Sequence, residues 1–187
     1  GQDATDENYF IGGTVERLQC FDEFLGRLPH KHKLFVAGNH DAPFANVTSK
    51  EAGVLLKNAT CYLENSGVEI GGVKFWGSPW QPEFFNWAFN LPRGRRLAEI
   101  WALIPDDTEV LITHTPPYGI LDRVDSGEHV GCEDLRRALQ RVKPKVHVFG
   151  HVHEDRGVTP QNGTTFINAC ICNRYFMAVY DPIVFDL

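Results

Sequence analysis

The sequence predicts an α/β layered domain, and three observations carry that prediction. Short apolar runs that read as strands alternate with stretches carrying a helical stripe. Three of these runs end directly in a polar segment rich in Gly, Asn and His. The composition is that of a folded globule, with 43% hydrophobic and 22% charged residues in 187, which suits one domain over residues 1–187.

The elements follow in chain order. Between Thr14 and Leu28 the apolar residues Val15, Leu18, Phe21, Phe24, Leu25 and Leu28 form one helical stripe. Lys33 to Ala37 is an apolar run that stops at Gly38, so it reads as a buried strand. Ser49 to Lys57 suits a second helix. Thr60 to Leu63, Val68 to Ile70 and Val73 to Trp76 read as short strands, the last two joined at Gly71-Gly72 as a hairpin. Arg96 to Ile104 is a helix, Glu109 to Thr113 a strand and Cys132 to Val142 a helix; Lys145 to Phe149 and Thr164 to Ile167 are further strands. No repeat, low-complexity tract or linker interrupts the pattern.

Charge and cysteine content narrow the function. A formal charge of −6 argues against a surface that neutralises many phosphates of an extended nucleic acid, but leaves a small anionic substrate open. No apolar run approaches a membrane span. The first residues are polar and acidic, without a signal peptide, and a start on Gly1 reads as a fragment or a processed product. Five cysteines, an odd number without a Cys-x-x-Cys pair, point to reduced thiols in a cytoplasmic setting and away from a thiolate zinc site.

The chemistry sits in the three polar segments. Gly38-Asn39-His40-Asp41 follows the first strand, Thr113-His114-Thr115-Pro116-Pro117 a second, and Gly150-His151-Val152-His153-Glu154-Asp155 a third. Strands lying side by side in one sheet would bring these segments to one edge, where α/β sheets bind ligands. Imidazole nitrogen and amide oxygen suit Mn, Fe or Zn, and two such ions can clamp a phosphoryl displacement. His151 and His153 would face opposite ways on an extended chain, so a turn is needed there, and Gly150 is placed to make it.

These motifs resemble the calcineurin-like metallophosphoesterase superfamily, whose pattern runs Asp-x-His, Gly-Asp, Gly-Asn-His, a later His, and Gly-His-x-His. More narrowly, the chain is similar to the metallophosphoesterase-domain-containing (brain-type 239) proteins. The likeness extends to Gly77-Ser78-Pro79-Trp80, Phe89-Asn90-Leu91-Pro92-Arg93-Gly94 and Lys143-Pro144-Lys145-Val146-His147, and covers the chain from about Thr14 to Leu187. It implies a four-layer αββα sandwich and hydrolysis of a small phosphodiester, such as a 3′,5′-cyclic nucleotide, by metal-bound hydroxide, with two divalent ions, manganese among the candidates. It further implies that Asn39, His114 and His151 hold the second metal, that His153 holds the first, and that His40 protonates the leaving oxygen, with Asp41 orienting it in some relatives.

Two departures stand out. Nothing upstream of Gly38 supplies the family's Asp-x-His, so the sandwich is expected to lack its N-terminal strand. The Gly-Asp motif is represented by Gln2-Asp3-Ala4-Thr5, which makes Asp3 the candidate bridging ligand. Residues Gly1 to Gly13 show no periodicity and are expected to be poorly ordered, giving a marginally folded chain that holds at most one metal tightly. The rival reading, from another class, is a metal-binding scaffold of the same fold with little or no turnover.

Other candidates have plainer explanations. His30, His32 and His129 suit surface roles, and His147, between Val146 and Val148, suits packing on a sheet face. Arg93, Arg95 and Arg96 suit the start of a surface helix, and Cys132 a small buried residue. Trp80, Phe84, Phe85, Trp87 and Phe89 suit a core or a cleft wall better than nucleobase stacking. Glu154 and Asp155 suit either solvated loop charges or partners that orient the histidines.

Overall fold

A computed structural model describes residues 15–47 and 49–187. Helix α1 (Val15–Arg27) leads to strand β1 (Leu34–Phe35), a 3-10 turn (Ala42–Phe44), helix α2 (Ser49–Leu55) and strand β2 (Cys61–Tyr62). Strands β3 (Ser66–Ile70), β4 (Val73–Ser78), β5 (Gln81–Pro82) and β6 (Asn90–Leu91) follow, then helix α3 (Arg95–Ala102) and strand β7 (Val110–Thr113). Helix α4 (Glu133–Val142) and strands β8 (Val146–Phe149), β9 (Gly157–Gln161) and β10 (Thr164–Asn168) complete the described elements. The expected α/β class is borne out. The expected N-terminal segment, with Asp3, lies outside the described residues.

A six-stranded mixed sheet in the order β3-β4-β7-β8-β10-β9 forms the centre. Its interior pairs, β4–β7, β7–β8 and β8–β10, are parallel, and antiparallel hairpins close both edges. Alternate residues go to opposite faces. Trp76, Leu111, Phe149 and Phe166 meet Leu97, Trp101, Leu135 and Leu139 of α3 and α4, building the main core. Val110, Val146 and Ile167 face the other way, packed with Phe75, Ile112 and Val148, which are only partly buried. Cys132 caps α4 with Sγ accepting from Leu135 N at 3.4 Å, and its burial raises the thiol pKa, so the small-buried-residue reading holds.

The strand before Gly38 differs from the expectation. It pairs with β2 in a separate two-stranded parallel sheet, not with β7 and β8, and only two residues of the apolar run are in register. The small sheet reaches the large one at Gly77, where an added Cβ would lie 2.7 Å from Leu63 Cβ and 2.8 Å from Val36 Cγ2. Two packed sheets, rather than one, therefore deliver the motifs to a shared cleft. Helix α1 buries Leu18 and Leu25, whereas Phe24 is 47% exposed. The expected stripe is thus covered on only one side, by the core around Phe44 and Tyr62.

Candidate metal and phosphoester site

The three motifs meet in one cleft of about 410 Å³, lined among others by Asn39, His40, His114, His151 and His153. His114 is placed by both neighbouring strands. Its N–H donates to Ser78 O of β4 at 3.2 Å, and its carbonyl accepts from Gly150 N, beyond β8, at 3.2 Å. Its ring passes so close to Gly38 that an added Cβ there would sit 2.5 Å from Nδ1 and Cε1. The Gly38 loop is braced in turn by Asp41, whose carboxylate accepts from Gly38 N at 2.7 Å. Burial raises the Asp41 pKa, against that hydrogen bond and the nearby His40.

The close set is Asn39, His114 and His151. His114 Nε2 lies 2.6 Å from Asn39 Oδ1 and 3.0 Å from His151 Nδ1, and His151 Nδ1 lies 3.3 Å from Asn39 Oδ1. Adjacent ligands about 2.1 Å from one ion stand about 3 Å apart, so these spacings fit a shared divalent cation. The donor chemistry fits as well. Burial and, behind it, the His151, His40 and His153 imidazoles hold the His114 pKa well below its ordinary value. Burial and then His153 and His40 lower His151 to about 4. Both rings are neutral near pH 7, the state that ligates a metal.

His153 lines the same cleft with its Nδ1 2.9 Å from the carbonyl oxygen of Asn173, a contact that puts the proton on Nδ1 and leaves the Nε2 lone pair available to a metal. Among the described residues no group of three or more His, Cys, Asp or Glu side chains is gathered as a metal site. The converging trio is two imidazoles and an amide, so it falls outside that description. His40 packs on Trp87, ring centroids 4.7 Å apart, and on Phe176 at 6.1 Å. The turn that brings His151 and His153 to one cleft is made by His151 itself, with φ of 70°, rather than by Gly150.

Sequence reasoning missed the steric role of Gly38 and the Asn173 carbonyl, a backbone group without a sequence signature. The alternation around His147 correctly marked a packed residue. It is wholly buried, its Nε2 2.8 Å from Thr113 Oγ1, while the Thr113 hydroxyl donates to Thr115 O at 2.7 Å. Arg93 lines the cleft but binds the carbonyls of Val130 and Gly131 at 2.9 and 2.7 Å and pairs with Glu133. Asp155 accepts from Arg123 N at 2.9 Å and so braces a loop. His129 pairs with buried Asp122 at 2.5 Å, and His30 and His32 lie at the surface. All five cysteines are free, and no described helix is long and apolar enough to cross a membrane.

Comparison with known proteins bears on the family and the fold. The sequence model of calcineurin-like phosphoesterases matches residues 3–155, a span that takes in Asp3 and all three motifs. Human metallophosphoesterase domain-containing protein 1 is 40% identical over 199 residues, covering 94% of this chain and 61% of that protein. A Caenorhabditis elegans UPF0046 protein is 42% identical over 186 residues, covering 92% and 63%. The chain thus spans somewhat under two thirds of these relatives. One crystal structure superposes with a TM-score of 0.64 at 25% identity, covering 88% of this chain and 65% of the other. A Thermus thermophilus protein, TT1561, shares the fold, with a TM-score of 0.55 at 15% identity over 84% and 70%.

Proposed function

As this chain belongs to the calcineurin-like phosphoesterase family, whose members use divalent metal ions, we propose that it hydrolyses small phosphodiesters, 3′,5′-cyclic nucleotides among them. The observation that carries the reading is the convergence of Asn39, His114 and His151 within 2.6–3.3 Å. These three would hold one ion. His153 would hold a second, with Asp3 bridging the pair. Divalent ions, when bound, lower the pKa of water and neutralise charge on phosphoryl oxygens.

The chain's own part is positioning and proton transfer. Gly38 and Asp41 fix the loop that presents Asn39 and His40. The Asn173 carbonyl fixes the His153 tautomer. His40, held between Trp87 and Phe176, gives its proton to the leaving oxygen as the ester bond breaks.

Hydrolysis of bis(p-nitrophenyl) phosphate with added Mn²⁺ tests the proposal. His114→Ala should lower metal occupancy and turnover together. His40→Ala should keep the metal yet slow turnover by roughly 10²–10⁴-fold. Equal metal loss in both variants, measured by elemental analysis, contradicts the roles assigned. Metal binding without any turnover in the wild-type chain favours the scaffold reading.

A further inference from the structure

Metal binding leaves one feature of the cleft unexplained, a wall of aromatic rings. Phe84 and Phe85 are 51% and 69% exposed, and Trp87 is half-buried. Their rings pack on one another at centroid distances of 4.4, 5.3 and 5.1 Å. Trp87 continues the wall to His40, and Phe84 and Trp87 both line the cleft. Phe89 departs from the group and is buried in the small-sheet core. The grouping expected from sequence therefore splits into two core-side rings, Phe89 and the Trp80 packed on it, and an outward wall.

Exposed rings lose the stabilisation of burial, yet this loop is built to hold them out. Asn90 Nδ2 donates to the carbonyls of Phe84 and Phe85 at 3.2 and 2.9 Å. Asn90 Oδ1 accepts from Nε2 of wholly buried Gln81 at 2.8 Å. Ala88 N donates to the carbonyl of Asn39 at 3.2 Å, tying the loop to the metal-site backbone. Phe85 holds a φ of 49°, a conformation that bulky residues avoid unless their surroundings impose it.

We propose that Phe84 and Trp87 form a subsite for a planar aromatic ring carried by the ester group of the substrate. The proposal rests on the phosphoesterase reading for the position of the phosphate, among Asn39, His114 and His151. With Trp87 4.7 Å from His40, a ring stacked on the wall sets its ester oxygen beside the proton donor. A flat π-face gains specific stacking from such a wall, whereas a puckered ring of equal size gains contact area alone. A nucleobase or a simple aryl group supplies the same chemistry.

Two ligand pairs test this while keeping leaving-group chemistry matched. Hydrolysis of methyl benzyl phosphate and methyl cyclohexylmethyl phosphate is followed by phosphorus NMR. Binding of benzylphosphonate, cyclohexylmethylphosphonate and thymidine 5′-phosphate is measured by calorimetry, with and without Mn²⁺. The planar ring should be preferred about tenfold in kcat/KM and in Kd, within the range of aromatic stacking. Phe84→Leu combined with Trp87→Leu should bring that ratio to within about twofold of unity. If the double variant fails to fold, Phe84→Leu alone, at a half-exposed position, should reduce the ratio. Tighter binding of thymidine phosphate than of benzylphosphonate assigns a nucleobase, and weaker binding a simple aryl group. Ring preference in binding without hydrolysis of either diester keeps the subsite and ends the phosphoesterase reading. Equal affinity for benzyl and cyclohexylmethyl ligands, or a preference that survives loss of both rings, overturns the subsite.

Discussion

Gly38→Ala is the most informative single change, because it alters geometry without replacing any of the proposed ligands. The added Cβ would lie 2.5 Å from Nδ1 and Cε1 of His114, where ordinary contact begins near 3.4 Å. The ring must retreat by about 1 Å, and Nε2, bonded to Cε1, moves with it out of its 2.6 Å approach to Asn39 Oδ1. Retreat is opposed by the strand bonds of His114 to Ser78 and Gly150, so part of the strain stays in the fold. Overpacking of this kind costs about 1–3 kcal/mol. Misplacing a ligand orientation lowers metal affinity by about 10–100-fold, and a 1 Å error at a reacting centre slows turnover by about 10²-fold. Calorimetric Mn²⁺ titration and phosphodiester hydrolysis read the two effects separately. Gly53→Ala is the matched control. It lies inside α2 with nothing within 4 Å of an added Cβ, and should stabilise by up to about 1 kcal/mol. Wild-type metal affinity and turnover within threefold in Gly38→Ala would refute the close-approach argument.

Two further outcomes follow from the structure. Gly150→Ala should leave turnover within about twofold, since the left-handed turn belongs to His151 and nothing lies within 4 Å of the added Cβ; a loss matching Gly38→Ala would restore the turn to Gly150. His147, whose pKa burial lowers to about 3, is neutral when folded but charges below pH 6.5 when unfolded, so stability is full above 6.5 and falls as pH drops toward 3. Between pH 7 and 5 that loss is roughly 2 kcal/mol, and His147→Gln should remove a similar amount from the pH dependence of stability, measured by urea denaturation at each pH; an unchanged pH dependence would contradict a neutral buried ring.

Much of this was legible in the residue pattern, for a physical reason. Interior strands of a two-faced sheet are largely apolar, so Val110–Ile112 and Val146–Phe149, polar only at buried His147, announce themselves, and polar residues just beyond them lie at the sheet's edge. The amphipathic helices α3 and α4 are equally plain. The pattern fails where pairing is short or tertiary. The run from Lys33 to Ala37 looks like a full strand because Val36 and Ala37 are buried or partly buried by packing, although only Leu34 and Phe35 pair. β5 and β6 have two residues each, too few for any period. The aromatic loop has no period at all, so its sequence could not show that Phe89 turns inward while Phe84 and Phe85 turn out.

The backbone marks the same cleft independently of the motifs. Eight of the described non-glycine residues have positive φ. Lys143 caps the C-terminus of α4, and Asn162 sits in the β9–β10 turn beside Gly163, where the left-handed region is ordinary. Asn65 is a residue type that tolerates it. The bulky cases are Phe85, Phe89, Leu121, His151 and Phe176. His151 and Phe176 line the cleft, and Phe85 packs edge-on or tilted against Phe84 and Trp87, which do. Each such residue costs of order 1–3 kcal/mol and persists only where its surroundings over-determine it. At His151 those surroundings include contacts to His114 and Asn39, and at Phe85 the carbonyl is held by Asn90. At three of the five bulky positions, His151, Phe176 and Phe85, the strain thus falls on residues in or beside the cleft that present a candidate ligand or a ring, whereas Phe89 turns into the small-sheet core and Leu121 lies at another surface beside Gly119 and Arg123.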